Sequence, residues 1–386
     1  MKILLYILAF LVSLHSYYFY EFNLALISVL AASFLVLLLL LGRVNSISYF
    51  SSNSVFLAGL YVLFFVWGAL GVLFLELPAD LKRSFGFIMI IFLLLGTHNL
   101  FKIIDLRTFT KLFLITHAFF FYIQFFSFYV FGVAVDFLEP FTGESQRTHG
   151  SSLEVPIFGK VMRPSGLHNE PGTYCTFIAP FCAIISRWYA MGKSDRFAYW
   201  LSLSSLVFSF SLFGIFFAIL IFLFSPRLSK TLRLAFLSCV SAFSLPMFYY
   251  RFFIRAEYGL DGGQEARWDL LKNSIESFDQ NPINILFGTH NVISPFSSNV
   301  EYSISTNDIG LVFSLFLHFG VFLWPLIVCA IIYSLRSLDL SSRIALLILL
   351  LSKQSLFCPF LPIALYSIYS FKAYDSRKIT NMVSYK

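Results

Sequence analysis

The sequence predicts an all-α, polytopic integral membrane protein. Of its 386 residues, 58% are hydrophobic and only 12% are charged. The mean hydropathy is +0.80, a value that soluble globular chains of this length do not reach. The apolar runs are about 20 residues long, the length of a transmembrane helix. Only helices and closed barrels satisfy the backbone in lipid, and the short alternating strands of a barrel are absent from the sequence.

Apolar runs delimit the predicted spans. The runs that each suit one helix are 3–20, 23–41, 54–75, 84–98, 112–133, 172–191, 197–211, 212–225, 233–250 and 309–335. The last run, 344–371, is too long for one ordinary span and carries Lys353 and Gln354 at its middle. We therefore divide it into two helices, which gives 12 spans in a single membrane domain, 1–386.

The distribution of charge predicts the orientation. Both termini are basic, and cationic residues favour the cytoplasmic side of a membrane. With both termini in the cytoplasm, most Lys and Arg fall inside and most Asp and Glu fall outside. The formal net charge of +7 is then explained by membrane topology, and it gives no reason to expect a nucleic-acid partner.

Two connections are long, 134–171 and 251–308, and both are predicted to lie on the outer face. The first contains the polar run from Arg163 to Gly172. Pro171 suits the first position of a helix, so Glu170 is the predicted N-cap of the apolar helix 172–191. The run therefore predicts a loop at the membrane surface, where lipid-linked substrates present their head groups.

The second long connection carries three further features. Apolar residues at helical spacing from Arg267 to Phe278 predict a helix in the membrane interface, which Asn281-Pro282 ends. Arg251 and Arg255 are four residues apart and would share a helix face. The loop closes with the polar run 305–310, which includes Asp308 and leads into an apolar helix. Two helix N-termini thus point outward, and each is a ready site for anions.

These features resemble the O-antigen polymerases (Wzy-type), within the wider group that includes O-antigen ligases. The motifs that carry the resemblance are Arg163-x-x-Gly166-x-x-x-Glu170-Pro171 entering a helix, Arg267-Trp268 followed by Asn281-Pro282 and Gly288, and Asn307-Asp308-x-Gly310 leading to a helix with Gly320. Most of the chain is covered in architecture, with many spans and two large periplasmic loops.

The resemblance implies an enzyme of lipopolysaccharide biosynthesis in the bacterial inner membrane. Its substrates would be oligosaccharide repeat units on undecaprenyl diphosphate, joined on the periplasmic face. A chain-length regulator protein would be a partner, and neither a cofactor, a nucleotide sugar nor a metal is expected.

Residue chemistry suggests which side chains would serve such a reaction. Guanidinium groups suit a diphosphate, so the candidates for substrate binding are Arg163, Arg251, Arg255 and Arg267, with Gly166 as the turn residue beside them. The candidates for the base are Glu170 and His168, with Asp308 behind them. A neutral loop histidine that bonds nearby backbone is the structural alternative for His168.

Two other functions stay open. An O-antigen ligase is the nearest, because ligases of the wider group use a loop histidine and His290 lies in the second loop. A flippase or transporter would need polar groups at the bilayer midplane, and His117 and His318 are the residues that favour it. Each of these two can instead form an interhelical hydrogen bond. No DxD, HExxH, P-loop or nucleophile-elbow motif is present in the sequence.

Overall fold

The computed structural model describes residues 105–148, 153–155, 159–189, 193–225, 229–249, 310–353 and 360–369, together with isolated positions elsewhere. The described helices are α1 (Leu106–Phe131), α2 (Glu139–Thr142), α3 (Pro171–Ser186), α4 (Lys193–Phe208), α5 (Leu212–Phe224), α6 (Lys230–Tyr249), α7 (Leu311–Ser337), α8 (Leu340–Leu351) and α9 (Phe360–Tyr369). Apart from two short hairpins, the described part of the chain is helical, as predicted.

The two hairpins are antiparallel and two-stranded. Strand β1 (Tyr18–Phe19) pairs with β2 (Phe22–Asn23), and β3 (Leu153–Val155) pairs with β4 (Gly159–Val161). The second hairpin lies within the first long loop, directly before the run that begins at Arg163.

Two of the described helices are long and apolar enough to cross a membrane, Leu106–Phe131 and Phe319–Ser337. Four shorter helices are also apolar: α3, α5, α8 and α9. Because these helices lack the charged faces of soluble helices, the described bundle suits a lipid environment.

Helix α3, which follows the polar run, is the centre of the bundle. All of its residues except Thr173 are buried, and it packs against α1, α4, α5 and α8. Large aromatic side chains fill the space around it, and the ring of Phe177 lies 4.6 Å from that of Phe360 on α9. The polar run therefore leads directly into the most enclosed helix.

Contacts between helix termini arrange the bundle as an alternating up-and-down set. At one end three contacts join helices: Arg107 to Asp195, Arg187 to Asp339, and Arg233 to the carbonyl of Ser225. At the other end the joining contacts are Glu170 to Lys353, Leu311 to Ser352, and Tyr129 to Phe210. We call the end that holds the first three contacts the basic end, and the end that holds the other three the loop end.

The two ends differ in charge. Among the described residues the basic end carries Arg107, Lys111, Arg187, Lys193, Arg196, Lys230, Arg233, Arg336 and Arg343 against Asp105, Asp195 and Asp339. The loop end carries Arg147, Arg163 and Lys353 against Asp136, Glu139, Glu144 and Glu170. The segregation of positive charge to one end is the pattern that membrane topology produces.

Apart from isolated positions, the predicted spans 3–20, 23–41, 54–75 and 84–98 and the predicted interfacial helix from Arg267 to Phe278 lie outside the described residues.

The predicted boundaries of the described helices differ from the structure at several places. The predicted run 112–133 begins earlier, at Leu106. The predicted helix 172–191 ends at Ser186, where Arg187 caps it. The run 344–371 is divided as predicted, although its first helix begins earlier, at Leu340. The run 309–335, predicted as one span, corresponds to α7, and the structure adds a break within it at Gly320, where the angles are φ 68° and ψ −176°.

Candidate functional site

The loop of the polar run is pressed onto α1. Gly166 has φ +57°, a left-handed conformation that side chains disfavour. A Cβ at this position would lie 3.3 Å from the carbonyl oxygen of His117 and 3.3 Å from the amide of Phe121. Glycine is needed here for both reasons, as the sequence predicted for a tight turn.

Two buried glutamines, Gln124 and Gln146, hold this loop through hydrogen bonds to its backbone. The Oε1 atom of Gln124, on α1, accepts hydrogen bonds from the amides of Ser165 and Gly166 at 3.0 and 2.8 Å. The Nε2 atom of Gln146 donates to the carbonyls of Gly166 and His168 at 2.8 and 2.6 Å. The two glutamines also bond each other at 2.6 Å. Because a buried polar network whose groups are hydrogen-bonded is rigid, these bonds fix the position of the loop on α1.

His168 lies below the loop surface and is buried. Its ring stacks between that of His117, with centroids 5.0 Å apart, and that of Phe177, at 4.8 Å. His117 in turn bonds the hydroxyl of Ser13 through Nε2 at 2.9 Å. This enclosure shields the His168 ring from solvent, and the bond to Ser13 gives His117 a partner on another segment.

Glu170 is the centre of a charged cluster at the loop end. The Nζ of Lys353 donates to its Oε1 at 2.9 Å, and Nη1 of Arg147 lies 3.8 Å from its Oε2. The charge of Arg163 also contributes to lowering the pKa of this carboxylate. We call Glu170, Lys353, Arg147 and Arg163 the Glu170 cluster. Counted over the described residues, this cluster holds one carboxylate and three cationic side chains.

Burial separates the members of this cluster. The side chain of Lys353 is 9% exposed and that of Glu170 is 19% exposed, whereas Arg147 is 63% exposed. The Lys353–Glu170 pair is therefore a partly buried ion pair, and Arg147 extends towards solvent. Burial alone would raise the pKa of Glu170, but attraction and hydrogen bonding from Lys353, with attraction from Arg147 and Arg163, hold the pKa below its ordinary value.

The cap of α3 differs in one respect from the expected one. Glu170 occupies the N-cap position, with extended backbone angles before Pro171, as predicted. Its side chain accepts no hydrogen bond from a backbone amide of the helix. Its Oε1 instead accepts from Nζ of Lys353 at 2.9 Å and from the hydroxyl of Thr173 at 3.3 Å. The amides at the start of α3 are therefore not occupied by this carboxylate, and the helix dipole adds to the positive potential of the cluster.

The N-terminus of α7 lies beside the Glu170 cluster, where it contacts the segment that contains Lys353. The amide of Leu311 donates to the carbonyl of Ser352 at 3.0 Å, next to Lys353. Gly310, with φ +113°, would place a Cβ 3.3 Å from the carbonyl oxygen of Leu351. The N-termini of α3 and α7, which the sequence predicted to point outward, thus both reach the segment 351–353.

The break in α7 receives part of the second long loop. A Cβ on Gly320 would lie 2.4 Å from the carbonyl oxygen of Leu286 and 2.5 Å from the amide of Gly288. The break comes after nine helical residues, roughly 13 Å from the start of α7 at 1.5 Å per residue. The loop backbone around Gly288 therefore enters the bundle well below the loop end.

The structure brings together four of the residues predicted from sequence: Arg163, Gly166, His168 and Glu170. The other predicted site residues, Arg251, Arg255, Arg267, His290 and Asp308, lie outside the described residues, as does the side chain of His318. Sequence reasoning missed Arg147, Lys353 and the two glutamines as members of the site. Lys353 had a visible signal, because an ionisable residue within an apolar run is a functional candidate by default.

Across the described part of the chain, no three His, Cys, Asp or Glu side chains come close enough to hold a metal ion. The expectation that the protein works without a metal stays a prediction. Compared with known proteins, the chain matches no family model, no curated protein and no solved structure. Its resemblance to the O-antigen polymerases therefore rests on the residues of the motifs themselves.

Proposed function

We propose that this chain is a membrane glycosyltransferase of the O-antigen polymerase type, with 12 spans in the bacterial inner membrane. It would transfer the growing glycan from undecaprenyl diphosphate onto the next undecaprenyl-diphosphate-linked repeat unit. The observation that carries the proposal is the Glu170 cluster, in which three cations and two helix N-termini gather at the end of an apolar bundle.

This cluster suits a lipid diphosphate. A diphosphate carries its charge at the junction between a sugar and a membrane-embedded chain, which is the depth at which polar loops meet an apolar bundle. Arg147 and Arg163 can offer paired N–H donors to phosphate oxygens, and Lys353 adds a point charge. The dipoles of α3 and α7 favour an anion at the same place.

The proposed reaction requires little covalent chemistry from the protein itself. A hydroxyl oxygen of the acceptor sugar forms a bond to the anomeric carbon of the donor, and the bond from that carbon to the diphosphate oxygen breaks. The diphosphate leaves with the electron pair, and the hydroxyl proton passes to a base. The protein must neutralise the leaving group, orient two lipids and take the proton.

Among the candidate bases, Glu170 is favoured by its position, because it lies beside the cations that would hold the leaving group. Its lowered pKa makes its carboxylate a weaker base than an ordinary one, so it is this position that supports the assignment. His168 is buried beneath the loop, so a role in supporting that loop fits it better. Asp308 keeps its place as the second candidate on the strength of its motif.

The charge difference between the ends supports the orientation. The basic end would face the cytoplasm under the positive-inside rule, and the loop end with the Glu170 cluster would face the periplasm. Lipid-linked repeat units are presented on that face in the reaction that the resemblance implies.

Substitution of Arg163 tests the proposal in a strain that lacks the gene. Arg163→Ala removes a charge-assisted contact, a loss on the order of a hundredfold in rate, so long chains should disappear from a lipopolysaccharide gel. Arg163→Lys keeps the positive charge but loses the planar guanidinium that can contact two phosphate oxygens at once, so the chains should be shorter or fewer. Arg196→Ala is the matched control, since Arg196 is exposed at the basic end.

The outcome also separates the alternatives. Loss of a polymerase leaves one repeat unit attached to the lipid A core, whereas loss of a ligase leaves none. A normal ladder of chain lengths from Arg163→Ala, with the protein at its usual level in the membrane, would show that Arg163 is only a turn residue.

A further inference from the structure

A groove opens at the basic end, on the opposite side of the bundle from the Glu170 cluster. Its volume is about 470 Å³, within the usual range for a ligand pocket. Three helices form it, α5, α7 and α8. Its walls are almost wholly apolar, and they include Leu220, Phe224, Ile332, Leu335, Ile344 and Leu347.

Two arginines stand at this groove. Arg336 belongs to the last turn of α7 and Arg343 to α8, and both are exposed. The Nε of Arg343 donates to the carbonyl of Leu338 at 2.7 Å, which holds its guanidinium between the two helices. The groove thus combines apolar walls with two cations.

Nearby carboxylates do not cancel this charge. Asp339 is close in sequence, but its Oδ1 lies 3.0 Å from Nη1 of Arg187 and it also bonds Ser341 and Ser342. No carboxylate of the described residues lies within 4.0 Å of a nitrogen of Arg336 or Arg343. An anion at the groove would therefore meet two guanidinium groups that have no acidic partner within the described ranges of the chain.

We propose that this groove binds an anionic phospholipid of the surrounding bilayer. The phosphate would contact Arg336 and Arg343, and an acyl chain would lie along the apolar walls. Basic pockets between membrane helices on the cytoplasmic side are sites of this chemistry. An apolar peptide would leave the guanidinium groups unpaired, and a free anion would leave the apolar walls uncovered. The proposal depends on membrane embedding and is independent of glycosyl transfer.

Native mass spectrometry of the purified full-length chain tests this site. The protein in detergent is titrated with dioleoyl phosphatidylglycerol and, separately, with dioleoyl phosphatidylethanolamine. We expect phosphatidylglycerol to bind more tightly. Since each basic residue near a membrane surface strengthens binding of anionic lipid about fivefold, Arg336→Gln should weaken it about fivefold and the double change with Arg343→Gln about thirtyfold.

Two further variants keep the test decisive. Arg196→Gln removes an exposed guanidinium at the same end but outside the groove, and it should leave lipid binding unchanged. Leu347→Trp fills the groove without a change of charge and should weaken phosphatidylglycerol binding even if the arginine variants fold poorly.

Three results would overturn the proposal. Equal affinity of the native chain for the two lipids would remove the role of charge. Undiminished binding in both Arg336→Gln and Leu347→Trp would place the lipid elsewhere. Displacement of phosphatidylglycerol by inorganic phosphate at equal concentration would show that the arginines form a simple anion site.

Discussion

The ion pair between Lys353 and Glu170 gives the sharpest prediction about how the site is held together. Lys353→Met keeps the length of the side chain and removes its charge. Glu170 is then left 19% exposed without the nitrogen that lies 2.9 Å from its Oε1. Because the pair is only partly buried, the loss of one partner should cost less than the roughly 3–5 kcal/mol of a fully buried pair. We expect about 1–3 kcal/mol, because solvent reaches the carboxylate and Arg147 and Arg163 still attract it.

A double change separates this charge effect from simple loss of packing. Glu170→Gln combined with Lys353→Met removes both charges of the partly buried pair, so part of the lost stability should return, with a coupling energy of about 1–3 kcal/mol. Arg147→Gln is the control, since an ion pair at 3.8 Å with one partner 63% exposed contributes about 1 kcal/mol or less.

The assay is unfolding of the purified protein in mixed micelles, followed by circular dichroism. All variants are also scored for chain length in the deletion strain. The double variant should be stable and yet produce no long chains, because two charges of the site are missing. If Lys353→Met is as stable as the native protein, or the double variant is no better than the single one, the pair does not form.

The remaining predictions concern the loop, pH, metal and topology. Gly166→Ala should lower stability by about 1–3 kcal/mol in the same unfolding assay, because of backbone strain and crowding against α1. Gly132→Ala, also at positive φ but with open space around it, should lose less stability. Equal losses in the two variants would refute the crowding. Because the pKa of Glu170 is lowered in the folded protein, the stability that Glu170 contributes is fully present above its ordinary pKa of 4.5 and is lost as pH falls through its folded pKa. The difference in stability between the native protein and Glu170→Gln should therefore be constant near neutral pH and shrink below about pH 4.5. A difference that does not change below this pH would count against the ion pair. Polymerisation should proceed in EDTA, and activity that EDTA removes and magnesium or manganese restores would show a metal requirement. A reporter fused after Lys378 should be cytoplasmic, and periplasmic activity would mean that 344–371 crosses the membrane once or re-enters it.

Local pattern was sufficient to predict most of the described fold. Apolar runs of helix length gave α1, α3 and α6, because burial in lipid demands continuous apolar sequence. Pro171 marked the start of α3, since its fixed φ suits the first helical position. The interruption at Lys353 likewise indicated two helices in the last apolar run.

The local sequence pattern could not predict which residues make contact across long sequence separations. Lys353 meets Glu170 across 183 positions of sequence, and no local rule connects a lysine in one apolar run with a cap in another. The glutamine network is similar, because Gln124 is one polar residue within an apolar helix until folding brings the loop onto it. Gly320 was singled out only because it belongs to a motif of the resemblance, and the break in α7 at Gly320 depends on the loop backbone that packs against it.

The most direct test of the central claim is polymerisation by the purified protein in a defined bilayer. The only substrate is a repeat unit on undecaprenyl diphosphate, and no nucleotide sugar, metal or lipid A core is added. The account predicts a ladder of lengthening lipid-linked glycans, with undecaprenyl diphosphate released at each step, and no ladder from Arg163→Ala. Unchanged substrate from an active preparation, together with transfer of the whole unit once lipid A core is supplied, would contradict it and identify a ligase.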